Sequence, residues 1–165
     1  MSARKLVLGG PVSIAVILVI AALLVGYAGQ ERPALAADAE QRVMISERMQ
    51  LTGPTTQAGT WVGTGAVNDA GAGMAIFTVV PHGDDKGLLR GTHVLTGSSG
   101  TITIETTAFV RPFPPHTPPR AMAEGTWKIV SGTGAYADLQ GRGKVYATAD
   151  FTTGEITIVR DGNAN

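Results

Sequence analysis

Gly125-Thr126-Trp127-Lys128-Ile129-Val130-Ser131-Gly132-Thr133-Gly134-Ala135-Tyr136-Ala137-Asp138-Leu139-Gln140-Gly141-Arg142-Gly143-Lys144-Val145-Tyr146-Ala147-Thr148-Ala149-Asp150 reads as a strand, a glycine-punctuated turn, a short compact loop and a second strand. Trp127 and Ile129 share one face of a strand over Ala123–Ser131, and Gly141–Phe151 forms the next. Between them Gly132–Gln140 is a compact loop in which Ala135–Leu139 has room for one helical turn. The glycines invite a nucleotide-loop reading and fail it. A dinucleotide fingerprint requires strand, glycines and then a full helix inside a parallel unit, and neither Gly132-Thr133-Gly134 nor Gly141-Arg142-Gly143 is followed by one. The glycines instead allow positive φ and close backbone approach at a corner, with Tyr136 and Leu139 placed to plug the end of a β structure.

Working outward, the same grammar of short strands and tight turns fills most of the chain. Val43, Ile45, Met49 and Leu51 alternate with Met44, Ser46, Arg48 and Gln50, the period of a half-buried strand. Further strands are expected at Trp61–Val67, Gly73–Val80, Leu88–Thr96 and Thr101–Arg111, and a last one at Glu155–Asp161. Asn68-Asp69-Ala70-Gly71 and Gly97-Ser98-Ser99-Gly100 are turn signals between them. Pro112–Pro119 holds five prolines in eight residues, so it cannot join a ladder and reads as an extended surface connection. The sum is eight strands with hairpin-like connections. Eight is the number at which an antiparallel meander can close and abolish its edges, the alternative being a two-sheet sandwich. Gly59-Thr60-Trp61 with Gly63-Thr64-Gly65-Ala66 also echoes Gly125-Thr126-Trp127 with Gly132-Thr133-Gly134-Ala135. The echo is either a pseudo-repeat of two halves or a coincidence of common residues.

The N-terminal part follows other rules. Arg4 and Lys5 precede an uncharged run from Leu6 to Gly29, and Ala34-Leu35-Ala36 supplies small residues for cleavage. Residues 1–36 are therefore either a cleaved signal peptide or a hydrophobic helix retained as a membrane anchor through residues 6–29. Both place the rest outside the cytoplasm. Residues 37–42 form a linker, 43–161 the β domain and 162–165 a polar tail.

Composition narrows the chemistry. The 165-residue chain has no cysteine, which excludes thiol catalysis, disulfides and Cys-ligated metal. Setting aside residues 1–36 leaves ten basic and twelve acidic residues, and no basic stripe suits nucleic acid. His82, His93 and His116 lie on three different elements without a spaced carboxylate partner, so no metal and no cofactor are expected. Arg90, Arg111, Arg120 and Arg142 are candidates for a cluster near one barrel end.

The quoted stretch resembles the signature of small bacterial proteins with an allene-oxide-cyclase-like barrel: an aromatic strand, then Gly132-Thr133-Gly134, Tyr136, Leu139, Gly141 and Gly143 at their spacing. Plant allene oxide cyclases and dirigent proteins are similar to the same calycin-like architecture. The resemblance implies an all-β, eight-stranded antiparallel β-barrel over the whole chain after its N-terminal segment. For function it implies little, since most such bacterial members have no assigned activity.

A barrel of eight strands either fills its lumen with side chains or holds one small ligand. Alternation points Val43, Ile45, Met49, Trp61, Phe77, Leu89, Leu95, Ile102, Ile104, Trp127, Ile129, Val145 and Ile156 inward, together with two residues foreign to a plain core, Glu47 and His93. A buried carboxylate is costly unless paired or protonated. Two readings follow. Glu47 and His93 meet inside the barrel and hold a polar group, or Glu47 faces water at a bulge and His93 is structural; a one-residue slip decides. Trp61, Trp127 and Tyr136 complete the candidate ligand-binding set, though tryptophans commonly serve as core anchors. The expected function is an exported barrel that binds a small apolar or amphipathic molecule or serves structurally at the cell surface. The alternatives are an isomerase or cyclase resembling allene oxide cyclase, with Glu47 and His93 as polar anchors, and a dirigent-like homo-oligomeric scaffold.

Overall fold

The computed structural model describes residues 40–83, 86–112 and 120–165. Residues 1–39, Asp84-Asp85 and 113–119 lie outside them, and with these the signal or anchor segment, half of the linker, His116 and most of the proline tract. Among the described residues no helix is long and apolar enough to cross a membrane.

Eight strands follow in order: β1 (Gln41–Gly53), β2 (Thr56–Gly65), β3 (Ala70–Pro81), β4 (Gly87–Gly97), β5 (Thr101–Pro112), β6 (Arg120–Gly132), β7 (Gly141–Asp150) and β8 (Glu155–Ala164). Each pairs antiparallel with its neighbours in sequence, and β8 returns to β1, so the sheet closes into a barrel. Closure satisfies every ladder and leaves no open edge. The sandwich alternative is thereby excluded. The expected helical turn is a single 3-10 turn at Gly134–Tyr136, one residue earlier than its sequence reading. β2 begins at Thr56 rather than Trp61, because the tight Gly53–Thr56 connection lets pairing with β1 start at once. Val67 lies beyond the end of β2 yet is fully buried.

The sequence echo is structural. Trp61 on β2 stands opposite Gly71 on β3, which stands opposite Gly97 on β4; its Nε1 donates to Thr96 O at 3.1 Å. Trp127 on β6 stands opposite Gly143 on β7, which stands opposite Gly162 on β8; its Nε1 donates to Asp161 O at 3.4 Å. In each half two facing glycines vacate the wall beside an indole. After each aromatic strand a glycine turns to positive φ, Gly65 at 86° and Gly134 at 62°, a conformation that excludes most side chains. Two residues later Val67 and Tyr136 are each buried. The halves are thus two copies of one supersecondary unit.

One end of the barrel is sealed through Asp69. Its carboxylate accepts from the backbone N–H of Ala70 (2.8 Å), Ser98 (3.2 Å) and Ser99 (3.0 Å), from Ser98 Oγ (2.9 Å) and from Tyr136 Oη (3.0 Å). These bonds, the Ser99 amide foremost, hold Asp69 well below the usual carboxylate range. A residue that reads in sequence as a turn former therefore ties three separate connections together. Asp69→Ala is expected to lower the thermal unfolding midpoint by several degrees and to speed amide exchange at Ser98 and Ser99. Tyr136→Phe, losing one bond, should do less. Unchanged exchange at Ser99 in Asp69→Ala would show that the end is closed by packing alone.

Side-chain size is graded along the lumen. Toward the sealed end the inward residues include Trp61, Trp127, Ile45, Leu95, Ile102 and Ile104, all buried. Toward the other end β5, β6 and β7 turn Ala108, Ala121, Ala123, Ala147 and Ala149 inward, small residues that leave space.

Candidate functional site

Glu47, on β1, sits between Trp61 of β2 and Ile158 of β8 in the ladder and is fully buried. A carboxylate so placed must find partners or lose its charge. It finds two. Oε2 lies 3.0 Å from His93 Nδ1 of β4, itself 3% exposed, and Oε1 forms an ion pair with the fully buried Arg160 guanidinium of β8. Arg160 Nη2 donates onward to Thr106 Oγ1 of β5 at 3.2 Å. The chain of contacts His93–Glu47–Arg160–Thr106 thus joins the adjacent pair β8–β1 to the adjacent pair β4–β5 on the opposite wall. It crosses the lumen between the packed half and the open half.

The protonation states follow from the surroundings. Burial pushes the His93 imidazole down to about 4. The Glu47 carboxylate that would oppose this shift is already neutralised by Arg160, so the ring is uncharged at neutral pH. A carboxylate has no proton to give, so Nδ1 carries the hydrogen and donates, leaving Nε2 as the ring's acceptor. Burial also pushes Arg160 down to about 9, which leaves it charged at neutral pH, and the touching carboxylate favours that form. The buried cluster therefore carries one negative and one positive charge.

Beyond this crossbar the lumen is not filled. A cavity of about 100 Å³ is floored by His93, Thr106, Arg160 and Gln57 of β2. Its walls include Phe77, Leu89, Val110, Ile156 and the inward alanines. It leads toward a wider groove at the barrel mouth, which shares Phe77, Val79, Val110, Ala121 and Phe151 with it. Among the described residues, Gln57 Oε1 and Arg160 Nε are buried without accessible surface and without a hydrogen-bond partner. Glu47 Oε1 and Arg160 Nη1 make no regular hydrogen bond but satisfy each other as the ion pair.

Of the residues expected from sequence, Glu47 and His93 meet inside the barrel, and the alternative of a solvent-facing Glu47 is excluded. His93 lines the cavity. Trp61, Trp127 and Tyr136 lie in the packed half and do not line it. Arg111 and Arg120 both border the mouth groove, whereas Arg142 pairs with Asn163 toward the sealed end, so the four arginines form no single cluster. Arg160, Thr106 and Gln57 escaped the sequence reading. Their signal was present: Arg160 is in phase with Ile156 and Ile158, Thr106 with Ile102 and Ile104, and Gln57 with Trp61. Among the described residues no group of three His, Asp or Glu side chains converges as metal ligands.

Comparison with protein-family models, with curated proteins and with solved structures yields no match.

Proposed function

We propose that the protein is an exported β-barrel that binds a small amphipathic molecule in the open half of its lumen. One observation carries this reading: a cavity of about 100 Å³ with apolar, alanine-rich walls ends on a floor that includes His93, Thr106 and Gln57. A lumen meant only to support the fold would be packed by side chains as its other half is, because an unfilled apolar space forfeits both burial and dispersion contacts. Apolar walls with a few convergent polar groups are the usual make-up of a small-molecule site. The ligand's polar end would rest on His93, Thr106 and Gln57, and its apolar part would run toward the mouth.

Two further elements belong to the same proposal. Export rests on Arg4-Lys5 and the uncharged Leu6–Gly29 run. Kinship with allene-oxide-cyclase-like barrels is supported by the closed eight-stranded meander and by the quoted motif, in which Gly134 takes positive φ and Tyr136 is buried.

Native mass spectrometry of the exported protein tests the reading directly, since the mass reports both cleavage of the N-terminal segment and a retained small molecule. Ala147→Phe should fill the cavity and weaken binding at least about tenfold, the loss of roughly 1.4 kcal/mol, while unfolding stays cooperative. Equal affinity of Ala147→Phe and wild type would remove the lumen as the binding site.

A further inference from the structure

We infer that the cavity selects ligands bearing an uncharged hydroxyl head over the matching carboxylate or ammonium. The inference rests on the binding reading above and deepens it.

The charge balance of the floor comes first. Glu47 and Arg160 are fully buried and touch, so their charges cancel. His93 is neutral and already spends its N–H on Glu47. A carboxylate guest would find Arg160 neutralised by Glu47 and would leave an uncompensated negative charge in an apolar enclosure. An ammonium guest would leave a positive one, and Glu47, fully buried, does not line the cavity to meet it. Either guest must also shed its hydration, which strongly disfavours entry of a charge.

The hydrogen-bonding inventory points the same way. Arg160 Nε and Gln57 Oε1 are buried without accessible surface, so a guest meets the floor through His93 and Thr106, which keep some. His93 Nε2 is an acceptor, and the Thr106 hydroxyl, which accepts from Arg160, keeps its own hydrogen to give. A hydroxyl guest has one hydrogen and two lone pairs, so it can give to an acceptor and receive from a donor at once. A carboxylate can only accept and an ammonium can only donate, so each leaves one kind of floor group unpaired, and an unpaired buried polar group is the costly case. Size sets the tail. A space of about 100 Å³ is smaller than the roughly 150 Å³ that admits a benzene ring in an engineered cavity, so it takes the head and the first few carbons. The rest of a longer chain extends into the mouth.

The test is calorimetric titration of the full chain, near neutral pH, with octanol, octanoate and octylammonium, three probes that share a tail and differ in the head. Octanol should bind at least about tenfold tighter than either charged probe. Octanoate or octylammonium binding as tightly as octanol would overturn the head-group inference while leaving a lumen site in place. No heat from any of the three, in wild type and Ala147→Phe alike, would mean that the floor is satisfied by water. That result would overturn both this inference and the binding reading.

Discussion

Arg160→Met is expected to cost about 3–5 kcal/mol of unfolding free energy, the range for stranding one partner of a buried ion pair. Arg160 has no exposed surface and neither has Glu47, so no solvent route can rescue the charge left behind. His93 supplies Glu47 with one neutral hydrogen bond, which does not compensate a buried carboxylate. The double substitution Glu47→Gln/Arg160→Met removes both charges and retains an amide oxygen for His93 Nδ1. It should recover at least half of the loss, because a buried pair contributes little net stability once its desolvation is counted. Urea unfolding of wild type, single and double variants measures this. A single variant that unfolds at the wild-type midpoint, or a double as unstable as the single, would show that the pair is not the crossbar described.

Acidification should remove a further share of stability through one residue. An unfolded imidazole titrates near 6.5, whereas burial holds His93 at about 4 in the barrel. Between these values the unfolded chain takes up a proton that the folded one refuses. The contribution is therefore complete above about pH 6.5 and is lost as pH falls toward 4. It amounts to about 3 kcal/mol at 1.36 kcal/mol per unit. The charged groups facing the ring, Glu47 from β1 and Arg160 from β8, form an ion pair and offset each other. His93→Asn keeps a donor toward Glu47 and removes the titration. Its unfolding midpoint should be nearly flat over the window in which wild type declines. Parallel curves for the two proteins would assign the acid sensitivity elsewhere. Asp69, already held well below the ordinary carboxylate range, titrates in both and cancels in the difference.

These two expectations share a cause that bears on how such a site evolves. A fold that needed only stability would place aliphatic residues at 47, 93 and 160, as it does at 45, 95 and 158, their inward neighbours on the same strands. The polar crossbar makes the barrel sensitive to acid and to single substitutions at its own centre. Such local conflicts with a packed core are found at functional sites, and here the conflict lies next to the empty half of the lumen rather than in the packed half.

The division between what was legible and what was not follows from the range of each interaction. Strand alternation is local, a matter of residues two apart, so the inward positions of Glu47 and His93 could be read from their neighbours Ile45, Met49, Gly91 and Leu95. The turn chemistry is equally local, and it carried the eight-strand count, the Gly134 corner and the burial of Tyr136. Arg160 was in phase too, but it stood near the end of the strand read from sequence (Glu155–Asp161), where an arginine has a strong prior for solvent, and only a buried counter-charge overturns that prior.

The sequence by itself determined the strands, their inward faces and the place of two out-of-keeping polar residues among them, because the pleat needs nothing beyond the nearest neighbours. Only the tertiary structure decided that these residues meet and with whom. Glu47 and His93 are on strands that never pair, and Arg160 reaches Glu47 because β8 closes onto β1. Which inward residues share one height of the lumen depends on the stagger of all eight strands, including the register shifts between Leu51 and Gly53 and between Thr103 and Ile104. That sum is a property of the closed ring and is written in no single stretch of the chain.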